Sequence, residues 1–357
     1  MIPERARRLF NLVGDRLHSL PLVVLYLTDG CNSRCVTCDI WRNPRRNMSL
    51  ELIEDLAAAF PSLGVRWVLL SGGEAMQHPQ WPRVARRLRD EGVYVMLLTN
   101  GLLLRRQVEE VLSSVDEVIV SLDAGTPETY AAIRGVDAFS LVVEGIRAVR
   151  EGGLPVITRT TVQRANYREL PQIVEVARAA DVNRISFLPV DVSSQEAFGP
   201  RFAADPDLKL VASGPGAPAE HGPQATALTV ADLQAFAEVL DVIERTCAAD
   251  FASGRMAETP QKLRRMLLYF GAVLGRNAFQ PLRCNAPHTS VVIEVDGRLR
   301  PCYFLPAWGR LEGRPLSEAI NDTGAQALRK AYRQGRREEC ERCVCPLYLG
   351  PRSLLRM

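Results

Sequence analysis

The chain reads LVVLYLTDGCNSRCVTC over residues 22–38, so that an apolar segment is followed at once by a loop with three cysteines. Leucine and valine dominate the first part, which is typical of a parallel strand that is buried on both faces. Cys31, Cys35 and Cys38 follow it, separated by three and by two residues. We therefore take 22–28 as the first strand of the fold and expect reactive groups directly after it.

The alternation of apolar strands with longer helical segments continues up to residue 190. The other strand candidates are 65–70, 93–99, 117–122, 156–162 and 184–188. The helical candidates between them are 49–60, 81–91, 104–113, 141–151 and 168–179. Because successive strands joined by right-handed crossovers form a parallel sheet, the pattern predicts an α/β fold. We expect a partial (βα)6 TIM-like barrel with its site at the carboxyl ends of the strands.

Four segments are expected along the chain. They are an N-terminal amphipathic helix over 1–20, the barrel core over 21–190, a loop and helical linker over 191–283 and a small C-terminal module over 284–357. Glycine and proline are concentrated in 191–225, which favours a loop, whereas 229–250 and 259–275 have helical periodicity. The pair Asp296-Gly297 lies between two short alternating segments and predicts a hairpin with a two-residue turn.

Composition excludes several classes of protein. Of 357 residues, 47% are apolar and 24% are charged, so the chain can bury a large core. The 44 basic and 41 acidic residues nearly balance, which argues against a nucleic-acid partner. The apolar run 20–27 is far shorter than the ~20 residues of a membrane span. Nine cysteines without a signal peptide indicate a reducing compartment, and we expect the cytoplasm.

The three cysteines of the first loop form an incomplete ligand set for a structural metal. Zinc in structural sites takes four protein ligands, whereas an iron-sulfur cube held by Cys31, Cys35 and Cys38 leaves one iron open to another ligand. We expect the cube with its open iron. A three-cysteine zinc site and a purely redox cluster remain as alternatives.

The loop resembles the signature of the radical SAM superfamily, Cys-x3-Cys-x2-Cys after the first barrel strand, and the resemblance covers about residues 20–190. It implies a 4Fe-4S cluster held by the three cysteines and S-adenosylmethionine (SAM) bound at the open iron. Gly72, Gly73 and Glu74 follow the second strand candidate and match the family segment that meets the SAM amino group.

Four further residues resemble family positions that contact the cosubstrate, namely Asn100, Ser121, Asp123 and Arg134. Arg159 is a further candidate, because strand alternation points it inward on the fifth strand. The resemblance assigns Asn100, Ser121 and Asp123 to the ribose and carboxylate of SAM, and Arg134 to the surroundings of the carboxylate. Other roles stay open, because Asn100 also suits a turn, Ser121 and Asp123 also suit helix capping, and most arginines lie in solvent.

The sequence departs from the family pattern next to the third cysteine. The family usually has an aromatic residue there, near the adenine, and this chain has Thr37. Trp41 lies three residues past Cys38 and could supply the aromatic surface instead, or it could be a core residue.

A second group of cysteines stands in the C-terminal module. Cys284, Cys302, Cys340 and Cys343 flank the expected hairpin and a later loop. The pattern resembles the twitch module, the short form of the SPASM extension, and implies an auxiliary 4Fe-4S cluster with four cysteine ligands. A structural zinc site is the alternative. Cys345 is left over and could exchange with Cys343 as a ligand, donate a hydrogen atom or have no role.

The resemblance implies an enzyme that cleaves SAM reductively to a 5′-deoxyadenosyl radical, which abstracts hydrogen from a small-molecule or peptide substrate. A low-potential electron donor such as flavodoxin or ferredoxin would reduce the cluster. Because an auxiliary cluster can accept an electron, net oxidation or crosslinking of a peptide or small natural-product intermediate is expected. The alternatives are a redox-neutral epimerase that uses Cys345 as hydrogen donor and a non-catalytic iron-sulfur electron-transfer protein.

Overall fold

The computed structural model describes residues 4–192, 226–351 and 354 of the chain. The strands β1 to β9 are Leu22–Thr28, Trp67–Gly72, Tyr94–Thr99, Glu117–Ser121, Val156–Val162, Arg184–Pro189, Ser290–Ile293, Arg298–Arg300 and Gly309–Arg310. They form one sheet in the order β6-β5-β4-β3-β2-β1-β7-β8-β9. β1 to β6 pair in parallel, each with the next strand along the chain.

Helices connect the parallel strands and continue through the second half of the chain. The helices α1 to α14 are Glu4–Phe10, Leu50–Leu63, Trp81–Asp90, Val108–Ser114, Pro127–Arg134, Phe139–Glu151, Leu170–Ala179, Val230–Thr246, Ala248–Ser253, Pro260–Val273, Ala286–Thr289, Leu316–Ala319, Thr323–Arg333 and Glu338–Glu341. The hydroxyl of Ser49 starts α2 by accepting a hydrogen bond from the Leu52 amide at 3.2 Å, as expected of a serine N-cap. The sequence analysis did not find α5.

The strands of the parallel sheet supply much of the hydrophobic core. Alternate residues of β1 such as Val23, Leu25 and Leu27 are fully buried, as are Val68 and Leu70 of β2. Helices cover the sheet, and the carboxyl ends of β1 to β6 meet at one edge. The expected α/β fold, a partial TIM-like barrel with a helical segment and a small C-terminal hairpin, is confirmed.

The C-terminal hairpin continues the barrel sheet and does not form a sheet of its own. β7 pairs in parallel with β1, from Leu22 with Ser290 to Leu25 with Ile293. β8 returns antiparallel to β7, and Ile293 faces Leu299. The turn has three residues rather than the expected two, because the Glu294 amide donates to the Arg298 carbonyl at 2.9 Å. Gly297 completes this turn at φ +79°, in the left-handed region.

Two of the expected segments border the barrel core, one before it and one after it. The N-terminal helix was expected over 1–20, but α1 ends at Phe10 and turns and irregular chain lead to β1. The loop expected over 191–225 lies outside the described residues, apart from its first two positions. In the described part of the chain, no helix is both long and apolar enough to span a membrane.

Candidate functional site

The cysteine loop after β1 is fixed to the end of α5 by the backbone. The Arg34 amide donates to the Arg134 carbonyl at 2.9 Å, and the Val36 amide donates to the Ile133 carbonyl at 3.0 Å. Gly135 follows α5 at φ +66°, and a Cβ atom there would lie 2.6 Å from the Arg34 carbonyl oxygen. Glycine is therefore required for the loop to approach the helix this closely.

The three loop cysteines are shielded from solvent to different degrees. Cys35 is buried, and Cys31 and Cys38 are half-buried. Burial raises the pKa of Cys31, and Cys35, Glu74 and Cys38 raise it further. The Cys38 amide donates to the Cys35 carbonyl at 3.2 Å, so a backbone turn joins these two cysteines. Three thiolates here need a positively charged partner, and the iron of a cluster supplies one.

The Gly72-Gly73-Glu74 segment lies directly against the start of the cysteine loop. β2 ends at Gly72, two residues beyond the expected strand, because Gly72 pairs with Thr28 in the β1–β2 ladder. A Cβ atom on Gly72, which has φ +123°, would lie 2.4 Å from the Thr28 carbonyl oxygen. The Glu74 amide donates to the Gly30 carbonyl at 2.8 Å. This backbone contact places Glu74 beside the cysteine loop.

The Glu74 carboxylate is 1% exposed and connects the ends of two strands. It accepts hydrogen bonds from the Asn100 amide at 2.7 Å, the Thr99 hydroxyl at 2.9 Å and the Met76 amide at 3.1 Å. Burial raises the pKa of Glu74, and these hydrogen bonds oppose the rise. Since a carboxylate offers about four acceptor positions, three donors leave room for one more, such as an ammonium group.

Asn100 faces the cysteine loop and also forms a turn. Its Nδ2 donates to Asn32 Oδ1 at 2.8 Å and to Ser33 Oγ at 3.1 Å, and lies 3.9 Å from Cys31 Sγ. Its Oδ1 accepts from the Leu102 amide at 3.0 Å. The turn role considered for Asn100 is therefore present in the structure, and its contact with SAM stays a prediction.

Asp123 and Arg134 form a buried ion pair beside Cys35. Arg134 Nη2 lies 2.7 Å from Asp123 Oδ2, and Arg134 Nη1 donates to Cys35 Sγ at 3.5 Å. The Thr161 amide donates to Asp123 Oδ1 at 2.7 Å. Burial raises the pKa of Asp123, and Arg134 opposes the rise. The capping role considered for Asp123 is wrong, because Thr126 caps α5.

Ser121 and Arg159 are neighbours across β4 and β5, and both are half-buried. The charge of Arg159 acts on Glu258, whose oxygens accept from the Phe187 amide and the Ser186 hydroxyl at 2.9 Å each. Arg159 therefore lies further along the strand ends, toward β6, than the Asp123–Arg134 pair.

Trp41 lies between two guanidinium groups. Arg42 is 5.0 Å and Arg34 is 5.9 Å from the centre of its ring. The aromatic surface considered for adenine is thus in contact with arginine in this structure.

The cysteines of the C-terminal module come together in one pocket. Its lining includes Cys284, Cys302, Cys340, Cys343 and Cys345. Burial raises the pKa of Cys302 to about 11 and that of Cys340 to about 12, and neighbouring cysteines add to both shifts. Tyr332 also lines the pocket and donates its hydroxyl hydrogen to the Cys284 carbonyl. Cys345 is exposed, whereas the other four are half-buried.

No three His, Cys, Asp or Glu side chains within 4–192, 226–351 and 354 are arranged to hold a single metal ion. An iron-sulfur cube takes each thiolate on a separate iron, so its ligands need not converge on one point. A zinc ion draws four ligands to one centre.

Comparison with known families agrees with this geometry. The model of the Radical SAM superfamily matches residues 25–180, and that of SPASM, an iron-sulfur cluster-binding domain, matches residues 284–344. The chain belongs to the radical SAM superfamily. It is an enzyme of this superfamily with a SPASM module, and it uses SAM, a 4Fe-4S cluster and an auxiliary iron-sulfur cluster.

Among curated relatives, this radical SAM enzyme is 28% identical over 314 residues to GTP 3',8-cyclase 1 of Mycobacterium tuberculosis, across 82% of this chain and 83% of the relative. It is 32% identical over 163 residues to the AdoMet-dependent heme synthase of Methanosarcina barkeri, across 44% of this chain and 47% of the relative.

Two solved structures share the fold. SuiB of Streptococcus suis bound to S-adenosylmethionine has a TM-score of 0.62 at 13% identity, covering 96% of this chain and 76% of SuiB. The structure of anSMEcpe with AdoMet and the Cp18Cys peptide has a TM-score of 0.61 at 17% identity, covering 91% of this chain and 86% of anSMEcpe.

Two side chains of the radical SAM site were not found in the sequence analysis. Thr99 donates to Glu74, and its only signal was its position at the end of β3, before Asn100. Tyr130 lies on α5, one helical turn before Arg134, and is fully buried. The four-residue spacing from Tyr130 to Arg134 would have placed both on one helix face, had α5 been expected.

Proposed function

We propose that this radical SAM enzyme carries out the net oxidation or crosslinking of a peptide or small natural-product intermediate. Cys31, Cys35 and Cys38 hold the first cluster, and the auxiliary cluster accepts the electron that the substrate loses. When bound, the first cluster and SAM supply a strongly reducing electron and a carbon radical that abstracts hydrogen. The chain itself orients the cosubstrate and excludes water.

The proposed cosubstrate site extends from the cysteine loop across the strand ends. Gly72 and Gly73 let the backbone approach, and Glu74 takes the ammonium group of SAM at its remaining acceptor position. Asn100 orients the loop beside Cys31. We assign the ribose and carboxylate to Asn100, Ser121 and Asp123, at the ends of β3 and β4, with Arg134 close by. Arg159 on β5 is a further candidate.

The observation that carries the oxidative outcome is the pocket with four half-buried cysteines and one exposed cysteine. We assign Cys284, Cys302, Cys340 and Cys343 to the auxiliary cluster. A cluster with four protein ligands has no open iron for a substrate, so its role is electron transfer. The exchange of Cys345 for Cys343 stays part of the proposal, because both line the pocket.

The position of Cys345 favours oxidation over epimerisation. A hydrogen-atom donor must reach the substrate at the carboxyl ends of the barrel strands, and Cys345 lines the pocket of the other C-terminal cysteines. The buried residues around Glu74 and Asp123 favour catalysis over an electron carrier, because a carrier has no use for a cosubstrate site.

Relatives and fold neighbours favour different substrates. The relatives named above include a GTP 3',8-cyclase and a heme synthase, whereas anSMEcpe has been solved with a peptide. We propose a low-potential flavodoxin or ferredoxin as electron donor. Arg34 and Arg45 are exposed on and beside the cysteine loop, where an acidic donor could dock. Free cysteines and low-potential clusters suit the cytoplasm.

The test is anaerobic reconstitution followed by iron analysis and turnover with dithionite. The wild-type protein is expected to hold about eight irons and to release 5′-deoxyadenosine from SAM. A triple variant of Cys31, Cys35 and Cys38 to alanine is expected to keep about four irons and to release none.

The reaction type is then tested with extract of the source organism in D2O. Oxidation predicts a product lighter by two hydrogen atoms for each 5′-deoxyadenosine formed. A product of unchanged composition that carries solvent deuterium would show epimerisation instead.

A further inference from the structure

Tyr130 is a fully buried tyrosine whose hydroxyl has no hydrogen-bond partner in the structure. It lies on α5, and its ring packs edge-on against Phe139 with the ring centres 6.0 Å apart. Buried hydroxyls nearly always have a partner, because leaving one unpaired is unfavourable. The Tyr130 hydroxyl is therefore available to a group that the protein binds.

The surroundings of the hydroxyl indicate where that group lies. Burial raises the pKa of Tyr130 to about 12; the charge of Arg134 opposes this rise, and Cys35, Asp123 and Glu74 add to it. These are the residues of the cluster and cosubstrate site. Tyr130 also precedes Arg134 by one turn of α5, so the two side chains lie on the same face of that helix.

Arg134 acts on the same cysteine. It is 8% exposed and one helical turn after Tyr130, and its Nη1 donates to Cys35 Sγ at 3.5 Å. Asp123 holds the guanidinium in place at 2.7 Å, and Arg134 Nε has no partner. One face of α5 therefore carries a cation that contacts Cys35 and, one turn earlier, a buried hydroxyl donor that no protein group engages.

We propose that Tyr130 and Arg134 are positioning residues that donate hydrogen bonds at the Cys35 corner of the cluster and thereby set its reduction potential. The proposal rests on the proposed function, in which Cys35 is a cluster ligand. Reduction adds one electron from an external low-potential donor and takes up no proton in this step. Hydrogen bonds to cluster sulfurs and nearby positive charge stabilise the reduced cluster and raise its potential.

The experiment is a redox titration of the reconstituted protein without SAM, followed by EPR of the reduced first cluster. Tyr130→Phe is expected to make reduction at least tenfold less favourable, a shift of about 59 mV to lower potential for one electron. Tyr167→Phe is the matched control, because Tyr167 is also fully buried but donates to Asp232 at 2.8 Å. It is expected to leave the midpoint unchanged.

A second variant tests the cation. Asp123→Asn with Arg134→Gln removes the ion pair without leaving one charge buried, and we expect a shift in the same direction as for Tyr130→Phe. Before reconstitution, Tyr130→Phe is expected to unfold at the same temperature as wild type or higher, since its hydroxyl has no protein partner.

The results separate this inference from the proposed function. If the wild type holds no cluster at Cys31, Cys35 and Cys38, the proposed function fails. If the wild type holds the cluster and Tyr130→Phe has an unchanged midpoint, the inference is overturned. A loss of SAM affinity with an unchanged midpoint also overturns it, because the hydroxyl would then bind the cosubstrate.

Discussion

The backbone of Gly73 lies against that of Gly30, so closely that a Cβ atom on Gly73 would be 2.3 Å from the Gly30 carbonyl oxygen. The next amide, of Glu74, donates to the same oxygen at 2.8 Å. The contact joins the end of β2 to the residue before Cys31. The position of the first thiol thus depends on the absence of a side chain at Gly73, the residue that follows the neighbouring strand.

Gly73→Ala is expected to displace the cysteine loop, because the obstructing atom belongs to the backbone. We expect the free energy of unfolding to fall by about 1–3 kcal/mol and the first cluster to be lost on reconstitution. Iron analysis and thermal unfolding measure the two effects. Gly14→Ala is the control, since its nearest neighbours would lie 3.9 Å from the new Cβ. Full iron content in Gly73→Ala would contradict the predicted contact.

Single alanine variants of Cys343 and Cys345 separate ligand from non-ligand. We expect Cys343→Ala to lose about four irons and Cys345→Ala to keep about eight, because Cys343 is the more buried of the two. Cys247→Ala is the control, since Cys247 is 1% exposed and lies at the end of α8, outside both cysteine groups. The reverse pattern of iron loss would assign Cys345 as the fourth ligand.

Arg46→Met is expected to weaken the connection between the cysteine loop and the C-terminal hairpin. Arg46 Nε lies 2.8 Å from Asp29 Oδ2, and its Nη1 lies 3.8 Å from Asp296 Oδ2. Burial raises the pKa of Asp29 to about 6, and Arg46 opposes the rise. Without Arg46 the buried carboxylate of Asp29 loses its cation. We therefore expect the free energy of unfolding, measured in urea, to fall by about 1–3 kcal/mol. Arg45→Met, at an exposed neighbour, is expected to change stability by less than about 0.5 kcal/mol.

His288 makes the protein less stable in acid. Burial, with the Arg329 and Arg333 guanidinium groups, lowers the pKa of His288 to about 4, whereas an unfolded histidine has a pKa of about 6.5. Between these values the unfolded chain binds a proton that the folded chain does not, so stability rises with pH and is complete above about 6.5. From pH 7 to pH 5 this proton binding is expected to lower the free energy of unfolding by about 2 kcal/mol.

Urea unfolding of wild type and His288→Leu in the same cofactor state measures this effect. The variant also loses the hydrogen bond between His288 and the Gly14 backbone at every pH. That loss cancels when the free energy of unfolding of each protein is compared between the two pH values. An equal change in both proteins would show that other groups cause the acid sensitivity.

The parallel strands could be predicted from the sequence, because a short apolar run such as Val23–Leu27 by itself indicates a strand that is buried on both faces. The cysteine loop and the Gly72-Gly73-Glu74 segment were likewise visible as short motifs. α5 was not found, because eight residues give little more than two turns of periodicity. The pairing of β7 with β1 joins residues that are far apart in the chain, and the sequence of neither strand indicates which strand it pairs with.

The contact of Arg134 with Cys35 was also beyond the sequence. The two residues are 99 positions apart, and the ion pair with Asp123 decides where the guanidinium lies. The resemblance predicts Arg134 near the cosubstrate carboxylate, and that role stays a prediction. The three-residue turn at Gly297 differs from the expected two-residue turn because a glycine in the left-handed region serves both types equally well.

The shared sheet has a consequence for electron flow. Separate domains usually move relative to one another, but four consecutive residue pairs join β1, which precedes Cys31, to β7, which lies between Cys284 and Cys302 in the chain. We therefore expect the two proposed clusters to keep one separation, because a continuous sheet links the segments that carry their ligands. Electron transfer between them would then proceed at one rate.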